Sequence, residues 1–339
     1  MKLRRNVSLA KLTTLKTGGS AGYFTEVKTK SALREAVLAA KKNHLSFFVL
    51  GGGSNVLFRD SGFAGLVIKM GLKGVRFEKE KSGKSLAVAA AGEDWDRFVA
   101  KAVSKGFQGL ENLSGIPGTV GASPIQNIGA YGAEVKDFIF WVEVFDTEKG
   151  KFSHLKNKEC LFGYRDSVFK KPAGRNYIVT EVAYSLRRGG KPNLKYKDLS
   201  EYFSGRISSR PSVGAVRRAV LKIRRKKMPD MKKFGTAGSF FKNPVISASR
   251  FKALKRRYKG LPGFAEGCRV KISLAWIIDK VLGLNGFCLG KAELYRKQPL
   301  IIVNLGGAKA REITALAAEV KRKILKSTGV RVEYEVNVL

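Results

Sequence analysis

Two glycine-rich stretches are where the residue types and spacing of this chain could do chemistry. Gly51-Gly52-Gly53-Ser54-Asn55 follows directly on the compact apolar run Leu45-Ser46-Phe47-Phe48-Val49-Leu50, so a strand ends in bare backbone. Glycines admit positive φ and let main-chain N–H groups approach an anion such as a pyrophosphate. The turn is not the dinucleotide fingerprint, because Val56-Leu57-Phe58 reads as another strand where a helix should open. Nor is it a P-loop, since no Gly-Lys-Ser/Thr follows. Alone, such a turn is more often only a turn. The second stretch, 114–132, includes Gly115, Ile116, Pro117, Gly118, Ser123, Gln126, Asn127, Ile128 and Gly129. Few side chains and many amides suit a large, flat, polar-edged cofactor gripped through backbone hydrogen bonds. A loop of this length inside a compact domain is usually functional. Pro117, Ile125 and Ile128 would be wasted in solvent, which argues against a plain surface loop.

Other chemistries are excluded by composition. Three cysteines (Cys160, Cys268, Cys288) at wide spacing support neither a disulfide framework nor a zinc knuckle. Two isolated histidines, His44 and His154, cannot build a His-rich metal site, so no metal is expected. Lys+Arg 65 against Asp+Glu 27 gives a net charge of +38. Residues 217–233 carry nine basic residues against one acid, Asp230, and Lys252-Ala253-Leu254-Lys255-Arg256-Arg257-Tyr258-Lys259 is similar. Such runs could bind nucleic acid. No RNP, KH, zinc or helix-turn-helix signature accompanies them, so a solvated face that also steers anionic ligands is expected, with no dedicated nucleic-acid partner.

The elements that must position these loops are legible from periodicity. At 339 residues the chain has room for two or three domains, and 44% hydrophobic residues allow a packed core. Ser31 can cap a helix with the apolar stripe Leu33, Ala36, Val37 and Ala40. A strand over 86–91 leads into a helix with Trp95, Phe98, Val99, Ala102 and Val103 on one face, and Gly106 sits where a left-handed cap is wanted. The middle is glycine-rich with β-type runs at 139–145 and 177–186. A helix on Val213, Val216, Val220 and Ile223 must stop before Pro229. Further helices are expected at 272–282 and 310–326. The chain ends in a period-2 strand, 330–338, whose polar face carries Arg331, Glu333, Glu335 and Asn337. No stretch approaches the roughly 18 apolar residues of a membrane span, and the N-terminus has no apolar signal core. A soluble α+β protein is expected, cytoplasmic and without a membrane partner.

With Gly163-Tyr164-Arg165-Asp166-Ser167, Gly238-Ser239-Phe240-Phe241-Lys242-Asn243-Pro244 and the terminal Glu333-Tyr334-Glu335, these loops closely resemble the UDP-N-acetylenolpyruvoylglucosamine reductases, the MurB family. The resemblance runs from about Leu12 to Glu335, and SNVLF, PIQNIGAYG, FGYRDS and AGSFFKNP occur in the family's order and at its spacings. It implies an α+β flavoenzyme: an FAD-binding domain of the PCMH/vanillyl-alcohol-oxidase type followed by a C-terminal α+β substrate domain. Residues 1–75 would form the first FAD subdomain, completed by the terminal strand 330–339. Residues 76–205 would form the second, β-rich one with its glycine loop, and 206–329 the substrate domain. The implied activity is NADPH-dependent reduction of an enolpyruvyl ether on UDP-GlcNAc, giving UDP-N-acetylmuramate for peptidoglycan precursor synthesis.

The resemblance also assigns residues. Non-covalent FAD would contact Gly51, Gly52, Gly53, Ser54 and Asn55, and Gly115, Ile116, Pro117, Gly118, Ser123, Gln126, Asn127, Ile128 and Gly129. Arg165 would hold the enolpyruvyl carboxylate, Glu335 would sit opposite and help stabilise the charge developing there, and Ser239 would donate the proton. Tyr196, Lys227, Asn243 and Gln298 would bind the UDP-sugar, with Lys227 suited to a diphosphate. Without the family, Ser239 reads as a turn residue, Arg165 as one more surface cation and Glu335 as part of a solvated strand face. Two features depart from relatives: Ala122-Ser123 stands where Ser-Ser is frequent, and Phe264 stands near where one subgroup places a tyrosine over the substrate. Another flavin oxidoreductase on the same fold is the alternative. His44, His154 and the cysteines all lie outside the glycine loops, so covalent flavin attachment is not supported. A monomer is expected.

Overall fold

Thr29, not Ser31, caps the first helix, Lys30–Lys42: its hydroxyl accepts from the Ala32 N–H at 3.1 Å. The helix therefore starts two residues earlier than its apolar stripe suggests, and the stripe itself, Leu33, Ala36, Val37 and Ala40, is buried. The computed structural model describes residues 2–79, 84–205 and 211–339. The chain divides into two units. One comprises Met1–Val7, Gly22–Gly52 and Ala64–Lys226; the other comprises Ser8–Ala21, Gly53–Phe63 and Lys227–Leu339. The expected domain boundary at 206 lies outside the described residues.

Among the described residues, the first unit contains two larger sheets and a two-stranded ribbon, Gly129–Ala130 with Ala133–Glu134. Strands Arg4–Ser8, Ser20–Val27, Phe63–Met70 and Phe47–Leu50 are ordered in that sequence across one of them, and Phe47–Leu50 runs parallel to its neighbour with Phe47 opposite Leu66. The larger sheet is antiparallel, in the order Lys151–Lys156, Ile139–Asp146, Tyr177–Arg188, Lys84–Ala90 and Val75–Lys79, with Phe107–Gln108 paired to the end of Tyr177–Arg188. Helix Trp95–Ser104 starts at the Asp94 carboxylate, which accepts from the Arg97 N–H at 2.8 Å, and ends at Gly106, whose φ of +76° is the left-handed cap the sequence asks for. Trp95, Phe98 and Tyr184 pack together in one core with both helices' apolar faces. Burying each such ring fully is worth on the order of 2–3 kcal/mol.

In the second unit, Gly235–Ser239, Ile301–Asn304, Ala292–Leu294 and Cys288–Leu289 form a four-stranded sheet. Helix Ala310–Thr328 buries Ile313, Leu316, Ala317, Val320 and Ile324, as its periodicity requires. The helix expected at 272–282 is different. A short turn, Leu274–Trp276, opens into π-helical Ile277–Val281, with the Leu282 N–H bonded to the Ile277 carbonyl at 3.0 Å. The expected terminal strand also shortens to Asn337–Val338, parallel to Val56–Leu57. Its segment changes partner midway. Lys242 N–H bonds the Glu333 carbonyl and Glu335 N–H bonds the Phe240 carbonyl, whereas Asn337 N–H turns to Asn55 and Leu339 N–H to Leu57. No single ladder can form, although Val332 and Val336 remain buried as the alternation demands.

Candidate active site

In the first unit the two glycine stretches meet. A Cβ on Gly52 would fall 2.7 Å from Gly118 Cα, and one on Gly51 would fall 2.7 Å from Thr119 Oγ1. Neither approach leaves room for a side chain without a shift, so bare backbone at Gly51 and Gly52 is a packing requirement, while Gly118 takes a φ of +132° that favours glycine. The Lys69 ammonium bonds the Gly51 carbonyl from below, and burial lowers its pKa. Gly118 carbonyl accepts from the Trp95 N–H and Val120 N–H bonds the Glu93 carbonyl, which ties the loop to the start of helix Trp95–Ser104. Among the described turns and loops, no backbone bond consumes the N–H groups of Gly118 and Thr119. Close-set glycines with available amides fit the pyrophosphate of a dinucleotide such as FAD. Gly53, Ser54 and Asn55 belong to the second unit; a Cβ on Gly53 would fall 2.2 Å from the Leu12 carbonyl oxygen.

Within the long loop the residues serve different ends. It is not structureless: Val120–Ala122 forms a 3-10 turn, and Gly129–Ala130 pairs with Ala133–Glu134. Ile128 is buried and Ile125 half-buried, but Pro117 is exposed, against the expectation. Ile116 and Gln126 are half-buried. Ser123 is buried, its hydroxyl sharing a 2.9 Å hydrogen bond with the Tyr184 hydroxyl in the core.

Arg165 sits at the end of this loop. Gly163–Asp166 is a reciprocal turn, with Gly163 N–H to the Asp166 carbonyl at 3.0 Å and the reverse bond at 3.3 Å. Arg165 takes the left-handed conformation at φ +52°, and its Nη2 donates to the Gly129 carbonyl at 3.0 Å. The expected arginine and the expected flavin loop are thus in contact. Tyr196 is exposed just before helix Lys197–Phe203, with its ring edge-on to Tyr131 at 5.3 Å.

The second unit holds Ser239 and Glu335 in one local register. Gly238, at φ +74°, and a bulge against Ile301–Asn304 end the strand at Ser239, which is half-buried. The next two residues, Phe240 and Phe241, are fully buried and pack with Tyr334. Phe241 bridges Tyr334 antiparallel, and the Glu335 N–H bonds the Phe240 carbonyl at 2.9 Å, so Glu335 stands one residue from Ser239 in the pairing. Asn55 Nδ2 donates to the Glu335 carbonyl at 3.1 Å and fixes its backbone from the other side. Asn243 Oδ1 accepts from the Leu274 N–H at 3.0 Å, Gln298 closes the turn before Ile301, and Lys227 is exposed at the end of helix Val213–Lys227. Phe264 lies exposed on strand Gly263–Glu266.

Sequence reasoning missed a polar cluster in the first unit. Asp96 Oδ1 accepts from the Gly115 N–H at 2.6 Å, and its two oxygens receive Arg217 Nη1 at 2.6 Å and Nη2 at 2.8 Å. Arg224 lies against the Tyr131 hydroxyl, which burial pushes up to about 12. Two residues of the basic run expected to be solvated are therefore half-buried and engaged with polar partners. Burial alone would raise the Asp96 carboxyl, but hydrogen bonds from Arg217 and Gly115, with the charges of Arg217 and Arg224, hold it below its ordinary range. Its contribution is present above the ordinary carboxylate value of about 3.9 and is lost as pH falls through its lowered folded value. Asp96→Asn is expected to cost roughly 1–2 kcal/mol at pH 7, toward the low end for a partly exposed carboxylate. Denaturant midpoints should show the gap to the parent closing as the pH drops below that range.

Comparison with known proteins gives the class first. Residues 21–156 match the family described as FAD binding domain, so the chain is a flavoprotein of the FAD-binding type. Residues 229–339 match the C-terminal domain of UDP-N-acetylenolpyruvoylglucosamine reductase. The chain is 40% identical to the reductase of that name from Chromobacterium violaceum over 100% of its own length and 99% of the relative's. It is 39% identical to that from Ralstonia nicotianae, covering 96% of each. The crystal structure of the Thermus caldophilus reductase (MurB) superposes with a TM-score of 0.70 at 27% identity, covering 100% of this chain and 99% of that one. The chain belongs to the UDP-N-acetylenolpyruvoylglucosamine reductase family. Among the described residues, no helix is long and apolar enough to cross a membrane, and no three His, Cys, Asp or Glu side chains are grouped to hold a metal.

Proposed function

We propose that this chain reduces UDP-N-acetylenolpyruvoylglucosamine to UDP-N-acetylmuramate with FAD and NADPH, a step of peptidoglycan precursor synthesis, and that it does so as a cytoplasmic monomer. The observation that carries the reading is Arg165 bonded to Gly129: the one places fixed positive charge against the end of the loop the other belongs to. Gly51, Gly52, Gly118 and Thr119 would hold the FAD pyrophosphate. FAD, when bound, supplies hydride to the enolpyruvyl double bond.

The chain's own residues do the rest. Arg165 takes the substrate carboxylate, and its attraction grows as negative charge spreads from the ether carbon into that group, which lowers the barrier rather than merely tightening binding. Ser239 delivers a proton to the ether carbon. A hydroxyl is a weak acid, but an enolate-like carbon is a strong base, so placement matters more than acidity. Glu335 favours the enolate only while it carries its own proton and can donate it in a hydrogen bond. Lys227, Tyr196, Asn243 and Gln298 hold the UDP-sugar.

The purified protein should be yellow, release FAD on denaturation, and oxidise NADPH rapidly only when the enolpyruvyl sugar nucleotide is present. A colourless protein that binds oligonucleotides with a steep salt slope would sink this reading.

A further inference from the structure

Asn127 belongs to the loop expected to grip FAD, yet its side chain is spent elsewhere. It is fully buried, at φ +43°. Nδ2 donates to Glu134 Oε2 at 2.9 Å and to the Gly163 carbonyl at 2.9 Å, and Oδ1 accepts from the Lys136 N–H at 3.1 Å. Both of its donors and one acceptor position are therefore used inside the protein.

What Asn127 holds is the mounting of Arg165. Gly163 opens the reciprocal turn that carries Arg165 at φ +52°. Glu134 stands directly across the two-stranded ribbon from Gly129, whose carbonyl receives the Arg165 guanidinium. A Cβ on Gly129 would fall 3.1 Å from both Arg165 Nη1 and Glu134 Cγ, so ribbon, carboxylate and guanidinium close on one point. Burial would raise the Glu134 carboxyl, but hydrogen bonds from Lys136 and Asn127 and the charges of Lys136 and Arg165 hold it below the ordinary range. Arg165 is thus gripped at its backbone through Gly163 and at its tip through Gly129. Asn127 links the two grips. A non-glycine residue in a left-handed conformation persists only while its surroundings over-determine it. Here the Asn127 amide supplies that constraint.

We infer that Asn127, acting with Glu134, is a positioning residue for Arg165 and not a ligand of the cofactor. This rests on the reading of Arg165 as the group that holds the substrate carboxylate. Catalytic groups are sensitive to such mounting, because about 1 Å of displacement can cost on the order of a hundredfold in rate.

The test separates the two half-reactions of the FAD-loaded protein by stopped flow, with FAD affinity of the apoprotein measured alongside. Asn127→Ala should retain FAD affinity and NADPH-driven flavin reduction within about 2-fold, while reoxidation by the sugar nucleotide slows roughly 10- to 100-fold with little change in its half-saturation. Asn127→Asp is nearly isosteric and guards against a folding failure. It keeps the acceptor for Lys136 but sets a carboxylate against Glu134, so it too should reoxidise slowly. Adding Glu134→Gln, which restores a donor opposite the introduced carboxylate, should recover part of the rate. Wild-type reoxidation in Asn127→Ala or Asn127→Asp, lost FAD affinity, or no recovery in the double variant overturns the proposal. Arg165→Ala in parallel distinguishes the levels. If it is slow while the Asn127 variants are normal, only the positioning role falls; if it is itself normal, the reading of Arg165 falls with it.

Discussion

Ser239→Ala is expected to give a yellow protein whose flavin NADPH still bleaches but the sugar nucleotide no longer reoxidises. General-acid contributions run from about 10²- to 10⁴-fold, and a loss in that range in the second half-reaction is the expected size. The substitution isolates chemistry from folding. Ser239 is half-buried at a strand end, while the packing beside it is done by Phe240 and Phe241, both fully buried, and by Tyr334. Removing one hydroxyl beside open space at Gly238 leaves that core intact. The melting temperature should hardly move, as for substitutions that create no cavity and orphan no buried partner. Rapid-mixing absorbance of the flavin reads both halves in one experiment. If the alanine variant turns over at the parent's rate, another group delivers the proton and Ser239 loses its role.

Much of this arrangement is legible in the residues alone. Helices with strong period, such as Ala310–Thr328 and Trp95–Ser104, fall where their apolar stripes put them, because burial of one face fixes both existence and orientation. The two glycine stretches that composition singles out do meet, at Gly52 and Gly118. What failed to show is whatever depends on a distant partner. Arg217 looks like one cation among nine until Asp96, 121 residues earlier in sequence, is placed against it. The bonds from Ser123 to Tyr184 and from Asn127 to Glu134 and Gly163 are equally invisible in the sequence. The terminal segment has a flawless alternation but splits its hydrogen bonds between two partners, which a period-2 pattern does not encode. The roles expected of Ser239, Arg165 and Glu335 come only from the family's motifs, since each residue alone suits a turn, a surface or a strand face.

Arg165→Ala is the second large effect. Turnover should fall roughly 10³-fold while the half-saturation for the sugar nucleotide rises far less, because the arginine's charge matters most when the carboxylate end of the substrate accepts developing negative charge. Reduction of the flavin by NADPH should be spared, since that half-reaction makes no such charge. Arg165→Lys is expected to restore only part of the loss. An ammonium keeps the charge but lacks the planar fork of donors, of which Arg165 uses Nη2 on the Gly129 carbonyl. The pattern of the loss decides what the arginine does. A rise in half-saturation with unchanged turnover would mean that it binds ground state and transition state equally, and the electrostatic account of the rate would have to move to another group. A fall in turnover shared equally by both half-reactions would instead point to a displaced loop, because Arg165 and Gly129 are bonded and a flavin held by that loop would shift with them.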